Sequence, residues 1–172
     1  MRRRGGRVAG PWRVSAVAAV VTVLLAVVSA GCAATDEDRI RHTLEEVAQT
    51  VSIEDRETPL IRQARAVRLT SYLTHDATVD VGAPFSPVAG HDAVALAAAA
   101  VRVPAGGIAV EFSELRVTVE AETRRALATA TASLAAGPEV GGELLQAREL
   151  EMVFSEVGGE WLIEQVRFVG FR

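Results

Sequence analysis

A charge-free run from Val14 to Gly31 separates a short basic start from the part of the chain that can form a domain. The basic start contains Arg2, Arg3, Arg4, Arg7 and Arg13. A basic segment, an apolar stretch and small residues at its end are typical of a secretory leader. An uncleaved transmembrane helix is the alternative, because the run is near the shortest length that spans a bilayer. Both interpretations place the rest of the chain outside a membrane.

The run ends in Ser29-Ala30-Gly31-Cys32, which resembles the lipobox of bacterial lipoproteins. The resemblance implies that a peptidase cuts before Cys32 and that the Cys32 thiol carries a diacylglyceryl group. We therefore expect a signal peptide over residues 1–31, a short tether over 32–35 and a single domain over 36–172. The expected location is extracytoplasmic, with the lipid on Cys32 holding the protein to the cell membrane or the outer membrane.

Cysteine use and charge limit what this domain can be. Cys32 is the only cysteine, so the fold has to rely on its core even though an exported protein could form disulfides. All five leader charges are arginines, which leaves 13 basic and 22 acidic residues after the leader. A domain with this acidic excess is a poor partner for nucleic acid or for anionic lipid headgroups. Its length fits one domain and no second one.

Periodicity predicts helices first and long strands last. Apolar residues at helical spacing predict helices over residues 36–51, 59–73 and 92–102. Two-residue alternation predicts strands over 77–81, 108–121, 126–136, 144–157 and 161–171. In the second strand the apolar parity switches near Ser113, which predicts a bulge that keeps both sets on one face. The order indicates an α+β fold.

The same patterns predict which side chains form the core. On each element we chose large apolar residues on the side expected to face the other elements. The predicted buried set is Leu44, Val47, Val67, Val94, Phe112, Val117, Leu150, Phe154, Trp161 and Ile163. Both alternating faces of the last strand are apolar, and this indicates that the outer sheet face forms a homodimer.

Two segments resemble the nuclear transport factor 2-like (SnoaL-like, cystatin-like) superfamily. They are Val88-Ala89-Gly90-His91-Asp92-Ala93-Val94 and the final hairpin Val157-Gly158-Gly159-Glu160-Trp161-Leu162-Ile163. The resemblance implies a cone-shaped roll, in which three N-terminal helices pack on a strongly bent antiparallel sheet around a pocket. Members include isomerases, cyclases, dehydratases, transport factors and binding modules, so the fold alone does not assign an activity.

Three residues are candidates for catalysis. Asp80 ends a predicted strand, and the steroid-isomerase branch of the superfamily has its catalytic base, an aspartate, in a similar stretch. Tyr72 and His91 could act as proton or hydrogen-bond donors beside it. The alternatives are a solvated turn aspartate, a core tyrosine with one satisfied hydroxyl, and an exposed histidine at a helix start capped by Gly90 or Asp92. The first helix has no tyrosine to complete the isomerase oxyanion site.

Polar residues continue the apolar stripes of the last two strands. They are Gln146 and Arg148 on one strand and Gln165 and Arg167 on the next. They could form a pocket floor that meets an anionic or polar ligand, since an arginine on an apolar stripe needs a partner. The alternatives are cross-strand ion pairs with Glu149, Glu151, Glu164 or Asp80, and an outer stripe that forms the dimer.

No spaced set of histidines, acids or cysteines predicts a metal site, and no fingerprint predicts a nucleotide or another cofactor. The favoured hypothesis is a membrane-anchored lipoprotein whose domain binds a small hydrophobic or amphipathic ligand, or a protein partner, without catalysis. The alternative is an isomerase or dehydratase with Asp80 as general base.

Overall fold

The computed structural model describes residues 34–53, 57–101, 106–136 and 144–171. Three helices are present in them: α1 (Asp36–Val51), α2 (Pro59–Thr70) and α3 (His91–Ala100). The strands are β1 (Leu73–Asp80), β2 (Val88–Ala89), β3 (Ile108–Glu120), β4 (Arg125–Ala136), β5 (Leu144–Val157) and β6 (Glu160–Phe171). The predicted α+β class is confirmed. The leader and Cys32 lie outside the described residues. Within the described ranges, no helix has both the length and the apolar character to cross a membrane.

The six strands form one open mixed sheet in the order β2-β1-β6-β5-β4-β3. The pairs β3–β4, β4–β5 and β5–β6 are antiparallel, as predicted. β1 instead runs parallel to β6, so the sheet is not antiparallel throughout. The loop after β1 also contains the short strand β2, which pairs back on Thr78 and Val79. An alternating pattern predicts that a strand exists but does not give its direction, and this explains both differences.

A bulge in β3 confirms the parity switch. The β3–β4 register shifts between Ser113 and Arg116, and Glu114 has a positive φ of 53°. Because of this extra residue, Phe112 before the bulge and Val117 after it both pack against the core. The hairpin between β5 and β6 turns at Gly158 and Gly159, whose positive φ angles of 63° and 87° suit glycine at both turn positions.

The core lies between α1 and one face of the sheet, which we call the inner face. Ile40, Leu44 and Val47 of α1 pack there against Leu150, Met152 and Phe154 of β5. Small side chains on β4 let the helix approach the sheet closely. They are Ala126, Ala128 and Ala130. Of the predicted buried set, all are buried or packed against this core except Val67.

The prediction for Val67 was wrong because α2 turns three of its larger apolar residues outward and packs Leu69 against the core. Its buried residues are Ala66 and Thr70, whereas Leu60, Ile61 and Val67 are 76%, 56% and 61% exposed. The helix also ends at Thr70 and not near Leu73, where β1 already begins. The α2 sequence has apolar residues on nearly every side, so periodicity could not choose between its faces.

The predicted parity of β6 is also wrong beyond its midpoint. The β5–β6 register shifts between the Phe154–Ile163 pair and the Val153–Gln165 pair, which leaves Glu164 as an extra residue. Trp161 and Ile163 are buried on the inner face before this bulge, and Val166 and Phe168 pack inward after it. After this bulge, the residues of β6 that face outward are Gln165, Arg167 and Val169. Phe168 is thus not part of an outer apolar face.

Candidate functional site

Large core side chains lie between α1 and the inner face of the sheet in the described chain. Phe154, Met152 and Ile163 from the sheet and Ile40 and Leu44 from α1 are all fully buried. Candidate sites must therefore be sought at the end of the inner face, on the outer sheet face and on the helices.

Asp80 lies on the outer face of the sheet, beside Arg167 of β6. Its carboxylate Oδ1 accepts a hydrogen bond from the backbone N–H of Gly82 at 2.8 Å, and this closes the turn that ends β1. The half-buried carboxylate therefore has a structural partner and a nearby cation. The interior of the domain is on the other side of the sheet.

Tyr72 follows the last turn of α2 and packs partly against the core. Its hydroxyl accepts a hydrogen bond from Arg68 Nε at 3.2 Å, one turn earlier. Its backbone oxygen accepts from the N–H of Ile163 at 2.8 Å, which links the end of α2 to β6. The phenol therefore lies with the exposed Arg68, a neighbour that the sequence pattern did not identify.

His91 opens α3 and is half-buried. Its Nε2 lies 3.0 Å from the backbone oxygen of Leu73, and a carbonyl can only accept, so the imidazole donates there. Its ring also lies 5.9 Å from the ring of His75. Gly90 is the N-cap residue, and its φ of 86° is one that other residues rarely adopt. The three catalytic candidates therefore sit in three separate hydrogen-bond arrangements.

Arg148 and Gln146 lie together toward the end of the inner face. Arg148 Nη1 donates to the backbone oxygen of Val81 at 2.9 Å, and its guanidinium lies 6.0 Å from the centre of the Phe168 ring. With its amide oxygen turned toward Arg148, Gln146 accepts from Nε at 2.9 Å. The arginine thus fixes the loop after β1 to the sheet.

Gln165 and Arg167 lie on the opposite face, so the sheet separates the two pairs that the sequence pattern grouped. Arg167 is directly opposite Glu151 on β5 and forms an ion pair with it. The hydrogen bond that Arg167 donates to this carboxylate raises the pKa of Arg167, and the charge of Asp80 adds to the effect. This is the cross-strand ion pair that the alternative interpretation expected.

The outer face carries an open depression of about 220 Å³ that was not predicted. Its polar lining is Glu114, Arg116, Thr129, Thr131, Glu149 and Glu151, with Val169 at one side. Thr131 Oγ1 donates to Glu114 Oε2 at 2.9 Å. The volume is below the usual range for small-molecule pockets. Within the described ranges, no three histidine, cysteine or acidic residues are grouped so that they could hold a metal ion.

Several large apolar residues are exposed on or just after α2 and α3, two helices that pack against each other. We call these residues the outward helix face: Leu60, Ile61, Val67, Leu96 and Val101. Leu96 is 73% exposed, and alanines make up most of the rest of α3. Sequence analysis missed this surface because it placed Val67 in the core and treated α3 as buried.

No protein-family model and no curated protein matches the chain. Among solved structures, it is similar to an NTF2-like protein with a cystatin-like fold from Novosphingobium aromaticivorans, with a TM-score of 0.59 and 16% identity over 92% of this chain and 90% of that one. A protein of unknown function with a cystatin-like fold from Nostoc punctiforme has a TM-score of 0.60 and 10% identity, covering 79% and 91%.

A third similar structure, also from Novosphingobium aromaticivorans, carries the provisional name scytalone dehydratase. Its TM-score is 0.58 at 11% identity, and the match covers 77% of this chain and 82% of that one. Identities this low show shared architecture and not shared activity. The element order, the sheet and these likenesses show that the chain has the nuclear transport factor 2-like, cystatin-like fold.

Proposed function

We propose that this protein is an exported lipoprotein, acylated on Cys32, whose domain is a binding module without catalytic activity. The leader and the cysteine at its end support the anchor. The domain then works close to a membrane surface, because few residues separate Cys32 from Asp36. It binds a small hydrophobic or amphipathic ligand or a protein partner.

The outward helix face is the observation that carries the binding role. A solvated helix normally turns its larger apolar residues inward, whereas α2 exposes Leu60, Ile61 and Val67 and buries Ala66 and Thr70. Apolar residues grouped on a surface are typical of contacts with another molecule.

An isomerase or dehydratase with Asp80 as base has less support. The fold likeness to a protein provisionally named scytalone dehydratase favours it. The geometry does not, because Asp80 accepts from Gly82 while Tyr72 and His91 bond to Arg68 and Leu73. Any activity found with the purified protein should persist in Asp80→Asn if our proposal holds, and its loss would favour the enzyme.

Photocrosslinking in the host tests what the outward helix face touches. Benzoylphenylalanine replaces Leu60 or Leu96 in separate variants, and the exposed turn residue Glu122 is the matched control. We expect adducts from both helix positions and none from the control, with mass spectrometry separating lipid, small-molecule and protein adducts. Equal adducts at all three positions, or none at the helices, would contradict a binding role for this face.

A further inference from the structure

We propose that α2 is a second membrane contact, which lies against the leaflet that holds the Cys32 lipid and turns the outward helix face toward it. This inference rests on the proposed anchor and names the lipid bilayer as the occupant of that face. A domain held by both contacts would have a fixed orientation on the membrane, whereas one acylated residue alone would leave it free to rotate.

Two contacts with β6 place the start of α1 and the end of α2 at the same end of the domain. Trp161 Nε1 donates to Asp36 Oδ1 at 3.0 Å, in the first turn of α1. The N–H of Ile163 donates to the backbone oxygen of Tyr72 at 2.8 Å, just after α2. Residues 161 and 163 are two steps apart on one strand, about 7 Å. Asp36 and Tyr72 are therefore both bound to the same stretch of β6.

The chain between the anchor and the domain is short. Cys32 is four residues before Asp36, and an extended chain of that length reaches at most about 14 Å. The 12 residues of α2 extend for about 18 Å. The tether therefore keeps the start of α1 closer to the membrane than the length of α2. A helix at the same end of the domain as the start of α1 can reach the bilayer surface.

The charge of α2 suits a lipid surface although the whole domain is acidic. Its sequence contains Arg62, Arg65 and Arg68 and no acidic residue. Arg65 Nε donates to Glu57 Oε1 at 2.8 Å, and Arg62 pairs with the same carboxylate at 3.6 Å. These ion pairs hold the side of α2 with Arg62 and Arg65 against Glu57. The apolar side of α2 then faces outward.

Arg68 is exposed, close to the apolar residues, where it can reach lipid phosphates. An exposed apolar stripe with basic residues beside it is typical of helices that lie in a membrane interface, with the apolar side in the boundary between headgroups and acyl chains.

Spin-label accessibility in vesicles tests the contact. Lipidated full-length protein is purified from host membranes as Leu60→Cys, Val67→Cys or the control Glu122→Cys. Because Cys32 is the only native cysteine and is acylated, each variant has one free thiol for the label. The proteins are reconstituted in phosphatidylethanolamine–phosphatidylglycerol vesicles, recovered by flotation, and measured for relaxation by oxygen and by a water-soluble nickel chelate.

We expect the labels at positions 60 and 67 to lose nickel accessibility severalfold and to gain oxygen accessibility, while the label at 122 stays in water. Floated protein in which all three labels are equally accessible to nickel would overturn this inference and leave the anchor intact. Protein that does not float would overturn the anchor and the inference together. Protection of the labels from nickel that disappears when the vesicles are diluted with excess lipid would overturn the membrane contact in favour of self-association.

Discussion

Replacing Phe154 by alanine should remove a large part of the stability of the domain. Phe154 is 0% exposed and lies on β5 opposite Ala126 of β4 and Ile163 of β6. A Phe→Ala change in a core costs about 3–5 kcal/mol, and the upper part of this range applies where neighbours cannot close the cavity. Ala126 and Ala128 have no side-chain length to fill it. Domain stability is about 5–15 kcal/mol, so the loss is about a fifth or more of the total.

Urea unfolding of the mature domain measures the effect directly. Trp161 is buried and is the only tryptophan after residue 12, so its fluorescence reports on the core. The matched control is Val67→Ala on the exposed side of α2, for which we expect a change within about 0.5 kcal/mol. Comparing the unfolding free energies of the two variants shows whether the loss of stability follows the burial of a side chain or only its apolar character.

Two outcomes would refute this reasoning. If Phe154→Ala costs less than about 1 kcal/mol, the inner face of β5 has been misassigned. If Val67→Ala costs more than about 2 kcal/mol, α2 turns Val67 inward as the sequence pattern predicted.

Two further predictions concern the outer sheet face. The hydrogen bond from Ser155 Oγ, followed by the interaction with Arg125, lowers the pKa of Glu164. The Glu164 carboxylate therefore stabilises the fold at pH values above its usual pKa. This stabilisation is lost as the pH falls through the lowered pKa. Ser155→Ala should therefore raise the pKa of Glu164 in a carboxyl-carbon NMR titration, and an unchanged value would contradict the hydrogen bond. The homodimer stays a prediction: sedimentation at micromolar concentration should show a dimer for the wild type and a monomer for Val169→Glu, and a monomeric wild type would exclude it.

The sequence predicted β5 well because its two faces differ in chemistry. One parity holds Leu150, Met152 and Phe154, while the other holds Glu149 and Glu151. Only one assignment buries the apolar set and solvates the acids, so burial follows directly from the pattern. The β3 bulge was predicted for the same reason, since a parity switch in a clear alternation requires an extra residue.

The pattern failed for β6 because both of its parities are apolar. Nothing in the alternation marks Glu164 as the extra residue, yet the shift there reverses the face of the side chains that follow, up to a second shift between Phe168 and Gly170. The pocket floor suggested for Arg148 and Arg167 required both strands to keep one parity, whereas the shift places the two arginines on opposite faces. A candidate site that is assembled across two strands depends on the register of each one.

The orientation of α2 could not be predicted for a different physical reason. Its apolar residues surround most of the helix, so the inward side is selected by tertiary contacts such as those of Arg62 and Arg65 with Glu57. Periodicity alone placed Val67 on the inward side. The proposed membrane contact explains why an exposed helix can keep such a sequence.

The mass of the wild-type protein extracted from host membranes tests the proposed anchor most directly. Intact-mass and N-terminal peptide measurements should show a chain that begins at Cys32 and carries a diacylglyceryl group, and Cys32→Ser should accumulate with its leader attached. A wild-type chain that retains residues 14–31 and carries no acyl mass would contradict the anchor and favour the transmembrane alternative.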